Sequence, residues 1–292
     1  MLVLLSCGVP VQEEDAGSAT GGGSATGGGS ATGGGGSATG GGSATGGGSA
    51  TGGGSGDAGL PDGGLPRFSF FLTSYAAIQD LSGSANGFGG DLRFGETGPG
   101  AGLRGADKLC TTIAERSMPG AGAKQWRAFL SAKQGEDGGV VHARDRIGPG
   151  PWYDRNGRLF AATLTDALTT RPTGCDALIC NDLPNEDGVP NHAPNGAQLD
   201  NHDVLTGSNT QGMLQTSRPD TTCQSWTTSA TDAGQPQIGH AWPAMSGQNW
   251  MVAHLAGGCG AGVNLQQTGG PTAPTVGSGG GYGGIYCFAL TP

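Results

Sequence analysis

Leu103, Ala106, Leu109, Cys110, Ile113 and Ala114 fall on one face of a 3.6-residue period, which predicts an amphipathic helix through the stretch GADKLCTTIAERS. Cys110 lies inside that apolar stripe and is expected to be buried. The following SMPGAG has Pro119 and two glycines, which stop a helix. The pattern then shifts to period two: Trp126, Ala128 and Leu130 alternate with Gln125, Arg127 and Phe129, as in a strand. The last periodic segment, IYCFAL from Ile285 to Leu290, is a second apolar strand and carries Cys287. A bond between the helix cysteine and this strand cysteine would close a loop of about 178 residues, worth about 5 kcal/mol in loop entropy.

Composition changes the picture at the N-terminal end. Glycine makes up 62 of the 292 residues, more than one compact domain tolerates, and much of it lies in GGGSAT repeats from about Gly17 to Gly56. Those repeats hold no apolar side chain larger than alanine, so nothing offsets the entropy of ordering them, and residues 8–65 are expected to form a disordered tether. As a coil it has an end-to-end distance of roughly 40 Å. Every tryptophan, histidine, lysine and arginine follows Leu65, which leaves residues 66–292 as one domain of ordinary size. Ahead of the tether, MLVLLSC ends in the pattern of a bacterial lipoprotein cleavage box, with Cys7 as the lipidated residue and residues 1–7 as the remnant of a signal peptide that begins upstream. The tether after it suits a protein held off a membrane.

Charge narrows the partners. Five of the 23 acidic residues precede Leu65, so the domain carries 18 acids against 14 bases within a chain of net charge −9. Nucleic acid and heparin are poor partners for such a surface, because neutralising phosphate or sulfate takes clustered Lys and Arg. Beyond Cys7 there are six cysteines, an even number in a chain expected to be exported, which reads as three disulfides. A zinc site built on Cys175 and Cys180 in CDALIC competes weakly, since no second close pair accompanies them.

Several segments together carry a family resemblance. GADKLC with its helix and WRAFLSA, then ARDRIGPGPWYDRNGRLFA (Ala143 to Ala161), then DVLTGSNTQGMLQTSRPDTTCQSWTTSA (Asp203 to Ala230) and the closing CFAL resemble, in that order, the endostatin domain of collagens XV and XVIII, and most closely its bacterial lipoprotein relatives. The resemblance covers about Ser69 to Pro292 with gaps. It implies an α+β, C-type-lectin-like fold with long loops, and a nested disulfide pairing of Cys110 with Cys287 and Cys223 with Cys259, which leaves Cys175 with Cys180 as an extra local bridge. Endostatin's zinc site uses histidines near its N-terminus, whereas the first histidine here is His142, so zinc does not carry over. Its heparin surface uses clustered arginines; here Arg144, Arg146, Arg155 and Arg158 are interleaved with Asp145 and Asp154 and read more simply as internal ion pairs. The spacing from Cys259 to Cys287 is longer than in endostatin, through a Gly, Thr and Pro-rich insertion that reads as a mobile loop. The EPN and QPD motifs of sugar-binding C-type lectins are missing, and QPQ at Gln235 to Gln237 lacks the carboxylate.

Candidate chemistry concentrates in NDLPNEDGVPNHAPNGAQLDNHD, whose prolines and glycines read as a long surface loop. Between Arg171 and Arg218 there is no Lys or Arg but six acids and six asparagines, and hard cations prefer such oxygen-rich loops. Asp182, Glu186, Asp187, Asp200 and Asp203 are therefore candidate calcium ligands, against the plainer reading of a solvated polar loop. Trp242 and Trp250 are candidate exposed aromatics which, with Asp200 and Asp203, would form a ligand site; two core tryptophans are an equal reading. His142, His192, His202, His240 and His254 show no HExxH spacing, no G-x-S-x-G elbow is present in the required context, and His240 and His254 read as structural. The chain thus reads as a non-catalytic, surface-displayed binding module whose ligand is a protein or glycan of the bacterial cell envelope or its surroundings. The alternatives are a structural envelope lipoprotein without specific ligand and, less favoured, a hydrolase working through the acidic loop.

Overall fold

The fold is taken from a computed structural model, which describes residues 66–192, 201–242, 247–265 and 274–291. Cys7, the repeat segment, Asp200 and much of the insertion before Cys287 lie outside the described residues. The class is mixed α+β. In chain order the elements are β1 (Phe70–Leu72), α1 (Tyr75–Ser82), α2 (Ala101–Ser117), β2 (Trp126–Ala128), β3 (Trp152–Tyr153), β4 (Leu159–Ala161), β5 (Asp203–Leu205), β6 (Ile238–His240) and β7 (Gly281–Ala289), with single helical turns between some of them.

The apolar stripe forms α2 as its period predicts, with Leu103, Ala106, Leu109, Cys110, Ile113 and Ala114 all buried. Gly105 is in that face for a steric reason: a Cβ there would lie 2.1 Å from the carbonyl oxygen of Arg93, so the preceding loop packs directly on the helix backbone. Shorter than the alternation suggests, β2 spans three residues, yet Phe129 continues its pairing by donating to the carbonyl of Tyr286.

Everything is arranged around β7. It pairs antiparallel with β1 along Phe70↔Phe288, antiparallel with β2 along Arg127↔Phe288, and parallel with β5 along Leu205↔Ile285, while β6 extends the sheet beyond β5. Since β1 and β2 meet the same residues of β7, they occupy its opposite edges. Strand side chains alternate between faces, and here both faces are covered. Ile285, Cys287 and Ala289 join α2, Trp126 and Phe71 in one core, and Tyr286 and Phe288 join Phe70, Phe129, Phe160 and Trp250 in the other. Phe129, which the alternation sets opposite the core-facing Trp126 and Ala128, is buried in this second core.

Three disulfides staple the domain: Cys110–Cys287 joins α2 to β7, Cys223–Cys259 joins two loops, and Cys175–Cys180 closes a local turn. Such bonds persist in an oxidising compartment. No helix among the described residues is long and apolar enough to cross a membrane. Of the interleaved arginines, Arg158 pairs with the buried Asp154 and Arg144 with the exposed Asp145, whereas Arg146 makes a fork onto Asp107 and Arg155 bonds Ser117.

The bridges differ in the loop each closes, with sequence separations of 177 and 5 for Cys110–Cys287 and Cys175–Cys180. Loop entropy then predicts that replacing both Cys110 and Cys287 by serine removes about 5 kcal/mol of unfolding free energy, against about 2 kcal/mol for the Cys175 and Cys180 pair. Urea denaturation of the two double variants checks this; equal losses would contradict it.

Candidate functional site

Among the described residues, Asp182, Glu186 and Asp187, three of the acids singled out as calcium ligands, are held apart by separate partners, and Asp200 lies outside the described residues. Glu186 is buried and accepts hydrogen bonds from the backbone N of Ser74 at 2.8 Å and its Oγ at 2.6 Å, locking it to the N-cap of α1. Asp182 accepts the backbone N–H of His192 at 3.0 Å, and Asp187 is exposed on a tight turn in which Asn185 Oδ1 accepts from the N–H groups of Asp187 and Val189. Among the described residues, none of these three belongs to a group of three or more donors close enough to share an ion. The reason is local: Asn185 bridges to Leu72 of β1, so the stretch is anchored against the domain rather than forming an open ligand loop.

Asp203 is placed differently. It opens β5, where it stands directly across from His240 of β6 on one side and Gly281 of β7 on the other. Residues opposite each other in an antiparallel pair put their side chains on the same face, so the register alone brings His240 beside the carboxylate. His202 immediately precedes it. His254 is delivered by the segment after β6, whose backbone is tied down because the His254 carbonyl accepts from Ile238 N at 2.9 Å and from Gln237 Nε2 at 2.7 Å. The result is one carboxylate oxygen, Asp203 Oδ1, with three imidazole Nε2 atoms around it: His202 at 3.3 Å, His240 at 3.3 Å and His254 at 3.0 Å.

Burial gives this cluster its electrostatics. The Asp203 side chain is wholly buried, His202 and His240 nearly so, and His254 retains 39% exposure. Burial alone would raise the Asp203 pKa, but the surrounding imidazoles outweigh it and hold the carboxyl below its ordinary range. The same burial lowers His240 despite the neighbouring carboxylate, keeping it neutral, whereas at His254 the carboxylate prevails over burial and raises the pKa. Gly279, itself exposed, presses against the cluster: a Cβ there would come within 2.3 Å of Asp203 Oδ2 and 2.7 Å of His254 Cε1, so only glycine lets the backbone pass this close.

The aromatic candidates part company. Trp250 is a core residue, completely buried, with its indole N–H donated to Ala167 and its ring against Phe129, Phe160 and Tyr286; it forms no exposed platform. Trp242 is half-buried and stacks on His192 with ring centroids 3.6 Å apart and planes 16° from parallel. It also lies edge-on to His202 at 6.0 Å, which puts the stacked pair at the rim of the Asp203 cluster. Asn191 and Asn201 donate their side-chain amides to each other's backbone carbonyls, clasping the chain just before His202. His142 is remote in role, its Nδ1 accepting from Leu214 N.

No protein-family model matches this sequence, and no curated protein does. The reading of the site therefore stands on its own residues. The histidines were visible in the sequence, but their positions at 202, 240 and 254 make no local motif; only the β5–β6 register and the return of the chain after β6 bring them together.

Burial is the leading influence on Glu186 and raises its carboxyl above the ordinary value of 4.5, against the opposing Ser74 bonds. The neutral form is therefore favoured in the folded state, so this group's contribution to stability is fully present below pH 4.5 and is lost as pH rises through the raised value. Glu186→Gln removes that loss. The difference in unfolding free energy between the two proteins should shift in favour of the variant from pH 4 to 8, measured by urea denaturation; a pH-independent difference would refute the assignment.

Proposed function

We propose that residues 66–292 form an exported, non-catalytic binding module of the endostatin-like, C-type-lectin-like type, held on a lipid-anchored tether, and that its ligand is a protein or glycan. The disulfide order supports the fold assignment, since Cys110 with Cys287, Cys223 with Cys259 and Cys175 with Cys180 is the pairing that the endostatin resemblance implies. An oxidising compartment agrees with export. The acidic-loop hydrolase gains no support, because Glu186 is engaged with Ser74 and Asp182 sits behind His192.

The observation that carries the reading is the stack of His192 on Trp242. The imidazole is held from behind, with Nδ1 3.8 Å from Asp182 Oδ2, and the pair forms an amphipathic aromatic surface at the rim of the Asp203 cluster. Tryptophan held in this way is a frequent energetic anchor of binding sites, since it offers a large area at a small entropic cost.

Probing a glycan and surface-protein array with the full chain and with Trp242→Ala tests this. The expected result is a discrete ligand whose signal falls at least ~10-fold in the variant, as truncating an anchor worth about 1.4 kcal/mol or more would produce. Undiminished binding by Trp242→Ala would move the site elsewhere.

A further inference from the structure

The geometry points to a four-ligand site for a zinc-class transition-metal dication, formed by Nε2 of His202, His240 and His254 and a carboxylate oxygen of Asp203. The inference deepens the site at whose rim the binding reading places its ligand, but it holds whether or not a partner engages the stack of His192 on Trp242.

Distance is the first support. A tetrahedral ion bound at about 2.0 to 2.1 Å has ligand atoms separated by about 3.3 to 3.4 Å along each edge. The three measured edges from Asp203 Oδ1 are 3.3, 3.3 and 3.0 Å, and the four ligand atoms all lie within 4.8 Å of one another. The four atoms are thus close enough to converge on a single ion.

The second support is burial. The carboxylate of Asp203 is wholly buried, with three imidazole Nε2 atoms within 3.3 Å of one oxygen and hydrogen bonds from His240 and His254. A buried charge is costly unless it is paired or coordinates a metal. The nitrogens that face this carboxylate can, in the neutral form, direct their lone pairs to a shared point beside the oxygen. An ion at that point satisfies the carboxylate and the imidazoles together.

Donor chemistry selects the ion. Calcium and magnesium take oxygen ligands almost exclusively, whereas three imidazoles and one carboxylate suit zinc and its neighbours in the first transition row. All six cysteines of the domain are engaged in disulfides, so no thiolate competes for the metal there. The ligands come from β5, from the end of β6 and from the segment after it, so the ion ties these three pieces of chain at one point. Gly279 lies against Asp203 and His254 at the surface, and the 39% exposure of His254 marks the side by which metal enters and leaves.

The test uses the untagged full chain with its disulfides formed, stripped with chelator and titrated with Zn²⁺ and separately with Co²⁺. One equivalent of zinc should bind and raise the melting temperature, cobalt should give the intense visible bands of a tetrahedral complex, and calcium should leave the melting temperature unchanged. His254→Ala, altered at the partly exposed ligand and so least disruptive to folding, should weaken zinc binding by ~100-fold or more, while His142→Ala binds as the parent does. A folded chain that takes up no zinc, or His254→Ala binding zinc as tightly as the parent, would overturn the site. Array binding that survives in a chain unable to hold zinc would leave the binding module standing while removing the metal; zinc binding with a blank array would do the reverse.

Discussion

The burial of β7 on both faces is the constraint on which the rest of the structure depends. All nine residues from Gly281 to Ala289 are buried, and the strand is flanked along both edges. Its odd and even positions must therefore satisfy two different cores, one built on α2 and one on the aromatic set around Trp250 and Phe160. A one-residue slip would exchange Cys287 with its neighbours and separate it from Cys110, so the disulfide and the alternation specify the same register. In a domain with such short strands, that agreement between a covalent bond and a hydrophobic pattern is what defines a unique arrangement of long irregular segments.

The Asp203 cluster is a consequence of how β5 joins this strand. The parallel pairing shifts register between Asp203 and Val204, whose partners on β7 are Gly281 and Gly284. Irregularities of this kind re-aim a side chain at the edge of a ladder and recur beside functional sites. Here the glycine-rich run leading into β7 lets the backbone press against the carboxylate, with Asp203 N–H donating to the Gly280 carbonyl. The scaffold thus buries a charge at the point where two imidazoles from other segments arrive. The stack of His192 on Trp242 covers the neighbouring rim.

Much of the scaffold was legible in the sequence. The stripe from Leu103 to Ala114 forms its helix, and Trp126 and Cys287 lie in strands as their alternation indicates. The site was legible only in part, because burial and register are properties of the tertiary structure. Acid content marked the stretch around Asp182 and Glu186 as an oxygen-rich loop, but the carboxylate of Glu186 is taken up by Ser74, 112 residues away in the chain. Asp203 stood among those acids, and beyond the adjacent His202 nothing local indicated that its neighbours would be imidazoles. Two tryptophans eight residues apart looked equivalent, and only packing separates the core Trp250 from the rim Trp242. Dispersed ligands at 202, 240 and 254 become a set once β5 and β6 pair, an event that no spacing rule encodes.

X-ray absorption at the zinc edge on the full chain loaded with one equivalent of metal addresses the Asp203 cluster most directly, because it reads the ligands rather than the affinity. The expected spectrum is a four-coordinate shell of nitrogen and oxygen at about 2.0 Å with the outer-shell scattering of three imidazoles. A sulfur shell at about 2.3 Å, or an oxygen shell with no more than one imidazole, would contradict the assignment of the metal to His202, Asp203, His240 and His254.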